Sequence, residues 1–126
     1  MKILIPSSAG DLIDRITILE VKKLFMPEEE KKLASIERHL RELKKVQRKL
    51  PRSRTLASLH KRLFEVNRRQ WTLEDKARLA WKKKDYVATA KAARAVHVSN
   101  GKRTDIKRRI DEHVGSHLVD EKHYAS

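Results

Sequence analysis

Hydrophobic positions recur at alternating spacings of three and four over residues 55–84: Leu56, Leu59, Leu63, Val66, Leu73, Ala77 and Ala80, broken once by Gln70. That rhythm predicts one long helix with a packed seam, about 45 Å from end to end at 1.5 Å per residue. A neighbouring strip carries His60, Phe64, Asn67, Trp71, Glu74, Asp75 and Arg78 at helical spacing, so an aromatic ring and several polar groups share one side of the rod. Upstream, Leu33, Ile36, Leu40, Leu43 and Leu50 form a second seam. Pro27 starts that helix, with Glu28, Glu29 and Glu30 at the positive end of its dipole, and Pro51 ends it. The short connection over residues 51–54 predicts that the two seams face each other as an antiparallel hairpin, with Ser53 or Thr55 capping the longer helix.

The flanking segments read as further helices. Residues 2–5 are a short β-compatible run closed by Pro6, and Ser8 is placed to cap a first helix, with Asp11 in the position of a capping box. Leu12, Ile13, Ile16, Ile18, Leu19 and Val21 make that helix apolar over a broad arc, which predicts a central, much-buried element. Asp14 and Arg15 interrupt the apolar arc and need partners. Asp85 caps an alanine-rich helix expected to stop near Ser99-Asn100-Gly101, followed by a fifth helix over residues 102–114 with Gly115 at its end. The tail is expected to fold back through Leu118, Val119 and Tyr124. The expected fold is therefore a single all-α domain. It comprises an extended segment and cap over residues 1–10, a three-helix part with the hairpin over 11–84, and a C-terminal helical pair and tail over 85–126.

Composition agrees with this pattern and adds a charge. Among 126 residues, apolar types make up 39% and charged types 38%, and glycine and proline number only three each, too few for a many-stranded sheet. There is no cysteine, which excludes disulfides, thiolate metal sites and cysteine nucleophiles. No apolar run suits a membrane span, so a cytoplasmic protein without membrane partners is expected. The net charge of +14 is concentrated in residues 31–62, while both ends are net acidic. The basic excess in the middle calls for solvent, counterions or an anionic partner.

Four blocks carry a resemblance. They are residues 5–20 (Ile-Pro-Ser-Ser-Ala-Gly-Asp-Leu-Ile-Asp-Arg-Ile-Thr-Ile-Leu-Glu); Asn67 with Trp71, Glu74, Asp75 and Arg78; residues 93–103 with Lys107; and residues 115–124, which include Leu118, Val119, Glu121, Lys122 and Tyr124. Together they resemble an uncharacterised family of small bacterial and phage proteins, a domain of unknown function. The family pattern has Tyr where this chain has His97 and Asp where it has Gly101. The resemblance implies no chemistry of its own. It does group polar residues from separate helices, and so suggests that they meet.

The candidate ligand site is Asp14, Arg15, Asn67, Trp71, Glu74, Arg78, Arg94, Asn100, Arg103 and Lys107, with Asp75 beside them. Arginine and lysine clamp phosphate or carboxylate, asparagine reads a polar edge, and tryptophan stacks on a ring, so the preferred ligand is a nucleotide or nucleotide-derived signal. The competing reading is that the same groups are ion pairs holding helices in register. A second function class is a nucleic-acid-binding accessory protein using Lys44, Lys45, Arg48, Lys49, Arg52, Arg54, Lys61 and Arg62. A third is an electrostatic enzyme of the chorismate mutase type. Carboxylates beside arginines make poor bases at neutral pH, and no Gly-rich phosphate loop, HExxH motif or nucleophile elbow occurs, so binding without catalysis is preferred. His113, His117, Asp120, Glu121 and His123 are potential metal ligands, but Gly115 breaks their helical face, and neither a metal nor a cofactor is expected. Assembly into a homo-oligomer is expected from the length of the amphipathic helices.

Overall fold

The computed structural model describes residues 1–26 and 28–115. Four helices form there: α1 (Ala9–Phe25), α2 (Glu30–Gln47), α3 (Arg54–Lys82) and α4 (Tyr86–Val114). Their starts follow the capping logic of the sequence. The Ser8, Ser53 and Asp85 side chains accept hydrogen bonds from the amides of Asp11, Leu56 and Ala88, and Gly115 closes α4 in the left-handed conformation. Pro27 and the tail residues Leu118, Val119 and Tyr124 lie outside the described residues. Residues 2–5 form no strand, since no other strand occurs among the described residues to pair with, and instead run without regular structure beside α1 and α2.

α1 packs against all three other helices, and its broad apolar arc explains why. On one side Ala9 and Ile13 join Leu56, Leu59 and Leu63 of α3 and Ile106 and Ile110 of α4. On the other, Leu12 and Ile16 meet Ile36 and Leu40 of α2. Ile13, Ile16, Leu63 and Ile110 are completely buried.

The all-α class stands as expected, while two features of the arrangement differ. First, the seams of α2 and α3 do not face each other. The α2 seam packs on α1, and the α3 seam packs on α4 and α1 together. α2 and α3 meet beside their connection, where Gln47 Nε2 lies 3.3 Å from His60 Nδ1 and His60 Nε2 lies 3.2 Å from Glu20 Oε1. Since an amide nitrogen only donates, His60 accepts at Nδ1 and donates from Nε2 to Glu20, which ties three helices through one ring.

Second, the expected C-terminal pair is one continuous helix, and the long antiparallel hairpin of the molecule is α3 with α4. Gly101 keeps an ordinary negative φ. A glycine inside a helix costs about 1 kcal/mol, less than the packing of Ser99 and Ile106 on either side of it recovers. The turn between α3 and α4 is a Schellman motif: Asp85 N donates to Ala80 O, and Lys84 N to Trp81 O. Lys84 occupies its left-handed position at φ 58°. Lys84→Gly is therefore expected to stabilise the protein by about 1 kcal/mol, read as an increased urea midpoint with an unchanged slope.

Candidate functional site

The site begins where α1 crosses α4. Gly10 lies so close to α4 that a Cβ built on it would stand 2.4 Å from Lys107 O, and its amide donates to Asp111 Oδ1 at 2.6 Å. Burial raises the pKa of Asp111, against the lowering effects of the Gly10 amide and the Ser8 hydroxyl. The folded state then holds that proton more tightly than the unfolded state, so this contribution to stability falls as pH rises from about 3.9 through the raised value. Asp111→Asn keeps an acceptor for Gly10 and removes the titration. The difference in unfolding free energy, wild type minus variant, should decline with rising pH across that window and stay flat above it.

One turn further along α1, Asp14 is the centre of a buried polar network. Its Oδ1 accepts from Arg103 Nε at 2.9 Å and Asn67 Nδ2 at 3.0 Å, and its Oδ2 accepts from Arg103 Nη2 at 2.5 Å. Asn67 Nδ2 also donates to Thr17 Oγ1 at 2.8 Å, and that hydroxyl donates to the Asp14 carbonyl. Lys107 Nζ stands 2.7 Å from Asp11 Oδ1 and 4.0 Å from Asp14 Oδ2. The hydrogen bond to Asp14 raises the Arg103 pKa against the opposing effect of burial, with the charges of Asp14, Glu74 and Asp11 adding to the increase. Arg103 is thus a fixed cation. Its fork is spent on Asp14, in the bidentate geometry that arginine makes with a carboxylate.

Two cavities abut across this network, both lined by Ile18 and Arg103. The smaller, about 200 Å³, is enclosed further by Val21, Lys22, Asn67, Gln70, Trp71 and Glu74. Trp71 stacks on Phe25 with centroids 5.6 Å apart and planes 8° from parallel. The larger, about 810 Å³, is a groove between α1, α2 and the N-terminal segment, and its cations are Lys2, Arg15, Arg103 and Lys107. Lys2 pairs with Glu42, Lys107 with Asp11, and Arg103 with Asp14. Arg15 is exposed and makes no ion pair within 4 Å among the described residues.

The structure thus brings together Asp14, Arg15, Asn67, Trp71, Glu74, Arg103 and Lys107 from the expected set. Arg78, Arg94 and Asn100 are exposed and line neither cavity, and Arg78 pairs with Asp75 one turn away on α3. Lys22 and Gln70 also line the smaller cavity, Thr17 bonds Asn67 and Phe25 stacks on Trp71, and none of these four is among the expected residues. Gln70 carried a signal, the one polar break in the α3 seam. Phe25 carried none, because nothing in the spacing relates the end of α1 to the middle of α3.

The eight basic residues of the nucleic-acid alternative, Lys44, Lys45, Arg48, Lys49, Arg52, Arg54, Lys61 and Arg62, are all exposed around the α2–α3 connection. None makes an ion pair within 4 Å among the described residues. Among the described residues no cluster of three potential metal ligands occurs; His117, Asp120, Glu121 and His123 lie outside them. His113 Nε2 is 2.8 Å from the Ser53 hydroxyl. No described helix is long and apolar enough to cross a membrane. No curated protein and no solved structure matches the chain. A family model matches residues 1–126 throughout, and the chain belongs to that family, DUF6165, a family of unknown function.

Proposed function

We propose that this protein binds, without transforming it, an anionic small molecule that carries a planar ring, namely a nucleotide or nucleotide-derived signal. The observation that carries this reading is the pair of abutting cavities joined at Arg103, one with an indole wall and the other with Arg15 and Lys107. A ring seated beside Trp71 leaves its anionic groups pointing past Arg103 into the groove. There Arg15 is an exposed cation with no ion pair within 4 Å among the described residues, and Lys107 can turn from Asp11 toward a phosphate. The buried Asp14–Arg103 pair serves as a rigid partition between the two compartments, its charges already satisfied.

Mass spectrometry of small molecules released from protein purified from its native host is the direct test. A released nucleotide supports the reading, whereas an empty protein whose melting temperature no nucleotide shifts refutes it. Arg15→Ala should weaken binding roughly 10- to 100-fold, as for loss of a charge-assisted hydrogen bond, while leaving the melting temperature of the free protein unchanged. In a phage, such binding would serve to sequester a host signalling nucleotide. A cytoplasmic location suits this ligand, and self-association would use exposed apolar residues such as Leu79, Trp81, Tyr86 and Val87.

The second reading, nucleic-acid binding, is favoured by one observation, the eight exposed cations around the α2–α3 connection, none of them in an ion pair within 4 Å among the described residues. Polyanion affinity at that end should fall steeply with salt, with a log–log slope near −0.9 per phosphate contacted on duplex DNA. It should be lost when those residues are neutralised and should not respond to Trp71→Ala.

A further inference from the structure

Gln70 lines the smaller cavity, and its Oε1 is shut off from solvent with no hydrogen-bond partner among the described residues. Its amide is oriented by the neighbouring carboxylate: Nε2 lies 3.4 Å from Glu74 Oε1, and the reversed amide would set two oxygens against each other. A buried acceptor left without a donor is costly, and no other described side chain carries such an atom. The seam position of Gln70, where leucine or alanine would continue the α3 pattern, makes this polar group harder to explain by packing. The terminal torsion of glutamine is broad, so a partial turn brings Oε1 to a donor inside the cavity while Nε2 stays directed at Glu74.

The cavity, about 200 Å³ and open on one side, has room for a ring system. With the Gln70 amide so turned, a ring meets an apolar wall of Ile18 and Val21, the Trp71 indole, and two acceptors, Gln70 Oε1 and the Glu74 carboxylate. We infer that Gln70 and Glu74 form an acceptor edge that selects a ring bearing an exocyclic amino group over the same ring bearing a carbonyl at that position. This inference rests on the nucleotide-binding reading above and names the specificity of that site. An amino group donates to both acceptors, whereas a carbonyl oxygen would face two oxygens and leave both acceptors unmet.

The experiment is calorimetric titration of the full chain with AMP against IMP and CMP against UMP, pairs that differ by amino for carbonyl. At least one pair should show about tenfold or greater preference for the amino form. Gln70→Met, apolar and of similar length, should bring that ratio close to one. Glu74→Gln, at a partly exposed position, provides a second variant if Gln70→Met folds poorly, and it should reduce the ratio as well. Equal affinities in the wild type, or a ratio that survives both substitutions, overturn the inference while leaving nucleotide binding in place. Absence of binding by all four nucleotides removes both.

Discussion

Arg103→Ala is expected to lower the unfolding free energy by about 3 kcal/mol and the melting temperature by roughly 10 °C. The substitution leaves the Asp14 carboxylate, whose side chain is only 6% exposed, without its two closest donors. Removing one partner of a buried pair commonly costs about 3–5 kcal/mol because the remaining charge is stranded. Two features hold the effect to the lower end. Asn67 still donates to Asp14, and Lys107, 4.0 Å away, can move closer. Because the cost lies in the stranded charge, the Asp14→Asn/Arg103→Ala double variant should be more stable than Arg103→Ala alone. Chemical denaturation of the four proteins in a double-mutant cycle measures this coupling, and additive single effects would contradict the account of the network.

Gly10→Ala is expected to destabilise by about 1–3 kcal/mol, although helix propensity alone favours alanine here by about 1 kcal/mol. The decisive quantity is the 2.4 Å separation between an added Cβ and the Lys107 carbonyl oxygen. A backbone carbonyl inside a helix cannot rotate aside, so α1 and α4 must separate. Separation stretches the Gly10–Asp111 hydrogen bond and the Asp14–Arg103 contact one turn away, and these losses outweigh the propensity gain. Gly101 is the control. Its added Cβ would meet nothing within 4 Å, so Gly101→Ala should stabilise by about 1 kcal/mol. Urea denaturation of the two variants side by side should give opposite signs, and equal signs would contradict the close approach of α1 to α4.

The sequence made the helices legible and their partners much less so. Seam spacing and capping residues located α1, α2 and α3 to within a few residues, because both are local signals. Pairing is a competition among surfaces. The α2 and α3 seams look complementary, but α1 takes up the α2 seam while α4 and α1 take up the α3 seam, and no local pattern expresses that competition. The Asn100-Gly101 pair read as a break, yet Ser99 and Ile106 pack on either side of it and carry α4 through as one helix. In the candidate site, Asp14 stood out as a charge on an apolar helix, and Asn67, Trp71 and Glu74 as a polar strip. Arg78 lies on that strip by spacing but points to solvent, since 3.6-residue periodicity does not say where α1 ends and its cover stops. Gly10 is the converse case: its role is a distance to another helix, which sequence spacing does not contain.

Nucleotide occupancy of the two cavities joined at Arg103 is read from ¹H–¹⁵N correlation spectra of the protein titrated with AMP. Trp71 borders the smaller cavity, whereas Trp81 is 63% exposed at the far end of the α3–α4 hairpin, so the two indole signals serve as probe and internal reference. A bound nucleotide should give saturable shifts of the Trp71 indole and the Arg103 Nε–H signals, with Trp81 unmoved. Shifts confined to the residues around Lys49 and Arg52, or no shift at all, would contradict that occupancy.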